Sequence, residues 1–352
     1  MRVTGGELFA LLNEVELAEN AIQLKGWIFH RGESLTHISV FVDSKPCAEN
    51  VALQDRPDVA AFFGLPHARQ SGIDIAATGC STLNRTSEIR LVARREGRPM
   101  GALDLTWRDP DADARRLPVP PAALQDRVGA ANFLTSGWRI YNDLKAALLP
   151  YIRISDCASV LDWGCGCGRA LRYLLEDVPA SHVHGCDIDA DAIAWMTQSI
   201  AGPSFTRIAP LPPTRYADQS FDLVYGISIF THLNEATQIQ WLGELRRITK
   251  PGGIVAVSVL GESFASGELQ DAMRDKGFAD VISGQSGTFA AYSSADYYRV
   301  TYHSSRYIAA QWSQYFEILE LIPQGINAHQ DLVIMRPKPG AGSSKEAPAI
   351  RG

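Results

Sequence analysis

Three glycines at alternate positions, directly after an acid, are the residues of this sequence best suited to chemistry. The apolar run Val160–Leu161 leads to Asp162, and Gly164, Gly166 and Gly168 follow before a helical pattern begins. This order is typical of a buried strand, a tight turn and a helix. Glycine lacks a Cβ, so a ligand can approach the backbone, and free N–H groups at the start of the helix point toward it. The stretch predicts a nucleotide-type cofactor site at the carboxyl end of a strand.

A second acid stands at the end of the next predicted strand. The run Val183–Cys186 leads to Asp187, about 20 residues beyond the glycine turn. An acid at this distance can accept hydrogen bonds from both hydroxyls of a ribose. We expect Asp189 to cap the helix that follows, because aspartate at an N-cap accepts from free backbone N–H groups.

The spacing of the glycines bears on the type of cofactor. The dinucleotide fingerprint is G-x-G-x-x-G, and its third glycine position falls on Arg169 in this chain. An NAD-dependent oxidoreductase is therefore a disfavoured alternative.

Four segments between Val160 and Val259 are similar, in kind and order, to those of class I S-adenosylmethionine (SAM) methyltransferases of the bacterial type 11/12-like subgroup. The G-x-G-x-G turn resembles motif I, and the strand ending at Asp187, the strand from Phe221 and the turn Pro251-Gly252-Gly253 follow in the same order. The resemblance implies a SAM-dependent methyltransferase with a Rossmann-like, seven-stranded α/β sheet. The cofactor-binding residues that it implies are Asp162, Trp163, Gly164, Cys165, Gly166, Gly168, Asp187, Ile188, Gly226, Ile227 and Arg127, the last reaching the SAM carboxylate.

Methyl transfer to a hydroxyl also needs a group that accepts a proton, and histidine titrates near neutral pH. His232, His303 and His329 lie in predicted loops on the ligand side of the sheet, so they are the candidate catalytic bases. Taken singly, each is favoured as a structural histidine over a catalytic one, and His303 ranks above His232 and His329 as the candidate base. The pair Cys165-x-Cys167 does not have a zinc spacing, so we predict no metal site. We expect small buried cysteines and no disulfide bond.

Residues 1–108 have a different pattern of apolar and turn residues. Candidate strands with alternating apolar residues, such as those at 37–42 and 88–93, are separated by turn residues. They predict a small all-β sandwich domain, preceded by a short helix or lead-in from Leu8 to Leu17. The stretch Asp55–Gly64 with Ser71-Gly72-Ile73 resembles a β-sandwich module of enzymes from bacterial polysaccharide loci, which implies a carbohydrate context. We expect Trp27 to be a core residue.

Composition separates the chain into four parts. We predict a β-sandwich accessory domain at 1–108, a proline-rich linker at 109–125, the methyltransferase domain at 126–337 and a disordered tail at 338–352. A helix is predicted from Asn132 to Leu149, another from Ser263 to Gly277, and a mobile lid from Val281 to Asp296.

Charge and hydropathy limit the partners. The net charge of −6 argues against a general nucleic-acid binder, and no apolar run has the length of a membrane span. A cytoplasmic enzyme is expected. The predicted acceptor is a hydroxyl of a sugar or glycan precursor. The alternatives are a small metabolite or lipid as acceptor, and a non-catalytic SAM-binding protein that acts as a glycan adaptor.

Overall fold

The chain divides into two compact units, residues 1–116 and 117–352. No helix in the described part of the chain is both long and apolar enough to cross a membrane. The computed structural model describes residues 2–4, 8–18, 21–79, 86–129, 132–265, 268–282 and 298–339.

In its described residues the first unit consists mainly of antiparallel strands, together with the short helices α1 (Pro57–Phe63) and α2 (Pro110–Arg116). Its described strands are β1 (Arg2–Thr4), β2 (Leu8–Ala18), β3 (Ala21–His30), β4 (His37–Val42), β5 (Lys45–Ala52), β6 (Gln54–Asp55), β7 (Gln70–Thr78), β8 (Thr86–Arg95) and β9 (Arg98–Arg108).

These strands form two sheets, in the orders β1-β9-β8-β4-β5 and β2-β3-β7-β6. Alternate residues of β3 are buried, as are alternate residues of β8, because successive side chains of a strand point to opposite faces. Ile22 and Leu24 from one sheet and Ile89 and Leu91 from the other belong to the same apolar core.

Two expectations for this unit are wrong. Residues 8–17 form strand β2 rather than a helix, because β2 pairs with β3 from Leu8 to Ala18 and this pairing overrides local preference. Cys47 is disulfide-bonded, although we expected no disulfide. Trp27 is half-buried and packs against Phe29 and Phe63.

The second unit alternates strands and helices. Its strands are β10 (Val160–Trp163), β11 (Val183–Asp187), β12 (Ser204–Arg207), β13 (Phe221–Gly226), β14 (Thr249–Gly261), β15 (Phe278–Ile282), β16 (Arg299–His303), β17 (Phe316–Ile326) and β18 (Gln330–Pro337). Its helices are α3 (Ala122–Arg127), α4 (Phe133–Leu148), α5 (Leu171–Leu174), α6 (Ala190–Ser199), α7 (Glu235–Ile248), α8 (Glu268–Lys276) and α9 (Ser305–Gln311).

The sheet of this unit has five parallel strands in the order β12-β11-β10-β13-β14, and β18 and β17 extend it in antiparallel fashion. It contains nine strands in the described residues rather than the predicted seven. The reason is the length of β14, whose residues Val255–Val259 pair with β18 while Leu260 and Gly261 remain to pair with β16. Strand β15 then adds to β16.

Burial and helix caps account for the strands and helices around the sheet. All four residues of β10 are buried, as expected for a parallel strand covered on both faces. Asp189, Asn234 and Ser304 cap α6, α7 and α9 through side-chain oxygens that accept backbone N–H groups.

The helix expected at 132–149 is α4, but the expected linker at 109–125 contains α2 and most of α3. The predicted lid, apart from its first two residues, and the tail beyond residue 339 lie outside the described residues.

Candidate functional site

A cavity of about 290 Å³ opens at the carboxyl edge of β10, β11 and β13. This volume is near the lower limit of typical small-molecule sites, at roughly 300–1,000 Å³. The cavity lies wholly within the second unit. The residues that line it are Leu124, Asp126, Arg127, Val128, Gly129, Ile140, Asp162, Trp163, Gly164, Cys165, Gly166, Cys167, Arg169, Ala170, Asp187, Ile188, Asp189, Ala192, Ile208, Ile227, Ser228, Ile229, His232, Leu233, Trp241 and Tyr298.

The glycine turn forms the floor of this cavity. The backbone N–H groups of Gly164 and Cys165 both donate to the Cys186 carbonyl, at 2.8 and 3.0 Å, which ties the turn to β11. Gly164 and Gly166 have positive φ angles of 78° and 52°. A Cβ at Gly164 would lie 2.0 Å from Ile229 Cδ1, and a Cβ at Gly166 would lie 2.7 Å from Val128 Cγ1. Only glycine fits these two positions without displacing a neighbour.

Asp187 lies beside this turn, at the end of β11. Its Oδ2 accepts from the Gly166 N–H at 2.7 Å, and its Oδ1 accepts from the Asp189 N–H at 2.8 Å. Burial raises the pKa of Asp187 and these backbone N–H donors lower it. Each carboxylate oxygen can accept more than one hydrogen bond, so the group retains acceptor capacity toward a diol in the cavity.

Asp162, at the end of β10, is a second buried acid in the lining. Burial raises its pKa to about 7, the nearby Tyr225 hydroxyl lowers it, and the Asp187 carboxylate raises it further. The Asp162 carboxyl group therefore changes charge near neutral pH, and a cation bound beside it would favour the ionised form.

Arg127 lines the cavity, but its guanidinium is already engaged. Its Nη1 donates to both carboxylate oxygens of Asp189 at 2.9 Å and to Asp191 at 3.1 Å. These acids raise the pKa of Arg127, the Asp189 hydrogen bond most of all. The expectation that Arg127 reaches a cofactor carboxylate is not supported, because the N-terminal turn of α6 already supplies its anions.

Two predicted cofactor residues lie outside the cavity lining. A Cβ at Gly168 would lie 2.5 Å from Met196 Cε, and a Cβ at Gly226 would lie 2.6 Å from Trp163 Cε3. Both glycines permit close packing behind the cavity, against α6 and β10 respectively. They support the wall rather than form it.

His232 is the candidate base that lines the cavity. Its Nδ1 lies 3.0 Å from the Arg299 carbonyl oxygen, and its ring stacks on Tyr298 with centroids 4.3 Å apart. A carbonyl only accepts, so Nδ1 carries the proton of the neutral ring, and Nε2 holds a lone pair that no described residue engages. Burial lowers the pKa of His232, which keeps the ring neutral.

The structure does not support His303 or His329 as bases. His303 is only 1% exposed and lies among Phe278, Tyr307 and Trp312. Burial lowers its pKa to about 3. His329 is exposed, packs on Phe264 at 4.9 Å and lies outside the cavity lining.

His303 has a structural role instead. Its Nε2 lies 2.8 Å from the Gln238 Oε1, and the amide nitrogen of Gln238 donates to the carbonyls of Phe230 and Leu233. The pair thus fixes the backbone on both sides of His232.

Sequence reasoning missed Ser228, a cavity residue with a φ of +61°. Its N–H donates to Ser258 Oγ at 2.7 Å, and its hydroxyl receives a hydrogen bond from Gln330 Nε2 at 2.7 Å. Such a backbone conformation persists only where surrounding bonds enforce it, and it often marks a functional site. Position in the chain gives no hint of this, because Gln330 is 102 residues away.

Sequence reasoning also assigned no site role to Arg169 and Tyr298. Arg169 directly follows the glycine turn, so its position was a usable signal, whereas Tyr298 reaches the cavity from the start of β16.

The cysteines beside the turn are buried thiols. Cys165, Cys167 and Cys186 are free, and burial raises the pKa of each. Among the described residues, no group of three or more potential ligands is placed to hold a metal ion.

Known proteins are similar to parts of this chain. Residues 160–253 match the family model described as a methyltransferase domain. Over 147 residues the chain is 34% identical to malonyl-[acyl-carrier protein] O-methyltransferase of Pectobacterium atrosepticum, covering 39% of this chain and 49% of that protein. Over 117 residues it is 27% identical to trans-aconitate 2-methyltransferase of Azoarcus sp., covering 32% and 43%.

Among solved structures, the 1,6-didemethyltoxoflavin-N1-methyltransferase of Burkholderia thailandensis is similar at 16% identity, with a TM-score of 0.42. That match covers 71% of this chain and 96% of the other.

Residues 160–253 therefore form a methyltransferase domain, and SAM is the cofactor of that domain. The matched region spans about half the length of the curated relatives, between 41% and 49% of each.

Proposed function

We propose that this protein transfers a methyl group from SAM to a hydroxyl of a sugar or glycan precursor. The observation that carries the proposal is the position of a neutral His232, with a free Nε2, in the cavity that also holds the glycine turn and Asp187.

The cavity fits the cofactor. The glycine turn leaves space where a Cβ would stand, and the Asp187 carboxylate retains acceptor capacity for two ribose hydroxyls. Ile188 and Ile208 add apolar surface beside that acid, which suits a flat base. Bound SAM supplies the methyl group on its positively charged sulfur.

The acceptor side of the proposal rests on His232 and Ser228. A hydroxyl must lose its proton during methylation, and the free Nε2 of His232 can accept it. Tyr298 and the Arg299 carbonyl hold the ring in one orientation. The Ser228–Gln330–Ser258 network adds polar groups at the cavity wall that suit a hydroxylated molecule.

We further propose that the first unit is an accessory β-sandwich domain that presents carbohydrate. Two antiparallel sheets with a shared core support this, together with the resemblance of residues 55–73 to modules of polysaccharide-locus enzymes.

A carboxylate acceptor is the second candidate, since the names of two relatives specify acidic acceptors, malonyl and trans-aconitate. A carboxylate carries no proton at neutral pH, so its methylation needs no base. The two candidates therefore differ in whether His232 matters for turnover.

The test uses SAM with a radiolabelled methyl group and a bacterial extract separated into nucleotide sugars and glycans, lipids, small acids, other metabolites, protein and RNA. We expect label in the glycan fraction with the native protein and none with Gly166→Val. Label in another fraction would keep the transfer reaction and overturn the acceptor. SAM binding without label in any fraction would favour the adaptor, and binding of NAD instead of SAM would overturn the cofactor.

A further inference from the structure

A closed ring of three hydrogen bonds holds Ser228 at the wall of the cavity. The Ser228 N–H donates to Ser258 Oγ at 2.7 Å, Ser258 Oγ donates to Gln330 Oε1 at 2.6 Å, and Gln330 Nε2 donates to Ser228 Oγ at 2.7 Å. Ser258 is fully buried, whereas Ser228 is half-buried and lines the cavity. The ring thus ties the loop after β13 to β14 and β18.

The order of donors in this ring leaves one proton available to a ligand. Ser258 Oγ accepts from the Ser228 N–H, so its own proton goes to Gln330 Oε1, and the amide nitrogen of Gln330 faces Ser228 Oγ. The opposite amide orientation would leave the buried Ser258 proton without an acceptor among the described residues. The Ser228 proton can point to Gln330 Oε1 at 3.1 Å, which Ser258 already approaches more closely, or into the cavity.

The backbone of Ser228 supports a role for this hydroxyl. Its φ of +61° is uncommon for a residue with a Cβ and costs free energy. Glycine would adopt the same backbone without that cost. A serine at this position therefore gives up stability, and what it adds over glycine is a hydroxyl group at the cavity wall.

Ser228 and His232 lie on either side of one short turn. The His232 N–H donates to the Ile229 carbonyl at 2.9 Å and closes this turn, and both Ser228 and His232 line the cavity. The Nε2 of His232 offers a lone pair, whereas Ser228 offers a proton. One group can take a proton from a hydroxyl while the other donates to an oxygen beside it.

The charges of the cavity lining favour a neutral acceptor. The lining contains four aspartates and two arginines, namely Asp126, Asp162, Asp187, Asp189, Arg127 and Arg169. Arg127 is already paired with Asp189. Because acids outnumber arginines, a carboxylate or phosphate group that entered the cavity would be repelled more strongly than a hydroxyl.

We propose that Ser228 binds the methyl acceptor and selects a neutral vicinal diol, with its hydroxyl donating to one oxygen while His232 faces the neighbouring hydroxyl. The proposal rests on the proposed function and narrows its acceptor to a molecule with two adjacent hydroxyl groups. Ser228 contributes to acceptor binding, and binding of the cofactor does not depend on its hydroxyl.

The test measures methyl transfer from labelled SAM to increasing amounts of the glycan fraction of a bacterial extract. We expect Ser228→Ala and Ser228→Gly to raise the KM for this fraction about 2- to 10-fold, the range for one lost neutral hydrogen bond. The kcat should change little, in contrast to His232→Asn, which should lower kcat. Calorimetry should show native affinity for S-adenosylhomocysteine (SAH) in both Ser228 variants.

Ser220→Ala is the matched control. Ser220 lies outside the cavity lining and its hydroxyl donates to the Ala217 carbonyl, so this variant should keep the native KM. The glycine variant separates the hydroxyl from the backbone, because glycine accepts the positive φ. A KM that is raised in Ser228→Ala and native in Ser228→Gly would show a backbone role and overturn the proposal. A native KM in both variants, or an equal loss of SAH affinity, would also overturn it.

Periodate treatment of the glycan fraction tests the diol. Periodate cleaves the carbon–carbon bond between adjacent hydroxyls and leaves isolated hydroxyls intact. After removal of the reagent, the treated fraction should accept no label from the native protein, and label equal to that of the untreated fraction would overturn the diol. No label in the untreated fraction would overturn the proposed function itself, whereas label there with a native KM in the Ser228 variants would overturn the role of Ser228 alone.

Discussion

The first unit of this protein and the cavity of the second unit differ in whether their charged side chains form ion pairs. In the first unit, charged side chains close pairs with one another. Arg108 and Asp113 are buried and joined at 2.6 Å, and the more exposed Arg69 pairs with Asp55 at 2.7 Å. The Asp55 partner raises the pKa of Arg69.

In the second unit, polar groups that line the cavity remain available to a ligand. Arg169 and the Nε2 of His232 have no protein partner among the described residues, and the Asp162 carboxyl group faces the same space. A closed buried pair supports the fold when intact, whereas an open charge lowers stability and is retained where it binds a ligand. Substitutions in the first unit should therefore affect unfolding, and those in the cavity should affect binding and turnover.

The largest effect is expected at the floor of the cavity. Gly166→Val should abolish measurable SAH binding, because the side chain would collide with Val128 and strain a backbone with a φ of +52°. Calorimetry measures the binding, and the thermal unfolding midpoint reports on the fold. Gly252→Val is the matched control, since Gly252 has a φ of +79° and open space around its Cβ position. Undiminished SAH binding by Gly166→Val would remove the glycine turn from the cofactor site.

The next effect concerns the base. His232→Asn should lower the rate of methyl transfer to a hydroxyl by roughly 10²–10⁴, the usual contribution of general base catalysis. SAH affinity should not change, because the loss concerns proton removal. Single-turnover measurements with labelled SAM test this, and His329→Asn, at an exposed histidine outside the cavity lining, is the control. An unaltered rate in His232→Asn would favour the carboxylate acceptor.

The closed pair of the first unit should respond in the opposite way. Arg108→Met removes an ion-pair partner of the buried Asp113 carboxylate and should lower the free energy of unfolding by about 3–5 kcal/mol. The double variant Arg108→Met/Asp113→Leu should recover part of that loss, since the buried carboxylate is replaced by an apolar side chain. Urea denaturation measures both. SAH affinity should stay constant, and a double variant as unstable as the single one would contradict the argument.

Local sequence patterns were sufficient to predict part of this fold. The strand, glycine turn and helix near residue 160 and the strand that ends at Asp187 were predicted, and the structure has them as β10, α5 and β11. Apolar runs and glycines act over a few neighbouring residues, so the sequence displays them directly. Strand β2 was missed because its ten residue pairings with β3 decide its conformation.

The histidines show what local sequence patterns cannot predict. His232 and His303 both follow or end strands, and nothing nearby in the sequence distinguishes them. His303 lies among buried aromatic side chains and bonds to Gln238, 65 residues away. His232 lines the cavity, and its ring bonds to the Arg299 carbonyl, 67 residues away. The ion pair of Arg127 could not be predicted for the same reason, since its partner Asp189 is 62 residues away.

The smallest effect concerns pH. The pKa of Asp162 is raised to about 7, chiefly by burial, so at pH 6 the carboxyl group is mostly protonated. SAH carries a positively charged amino group, and a cation bound beside Asp162 would favour the ionised carboxylate. SAH affinity should therefore rise between pH 6 and pH 7.5, by about five- to tenfold for a single group with this pKa. Calorimetry across this range tests it, and Asp162→Asn should show a flatter profile.

The contribution of Asp162 to stability should change with pH in the direction opposite to that of SAH affinity. In the unfolded chain Asp162 returns to its ordinary pKa of 3.8, so between about pH 4 and pH 7 the folded state holds a proton that the unfolded state releases. The contribution of Asp162 to the free energy of unfolding must then fall as pH rises through this window. Asp162→Asn should remove that part of the slope and be the more stable protein at pH 8. A variant that gained affinity for SAH as well as stability would show that the open acid does not serve the ligand.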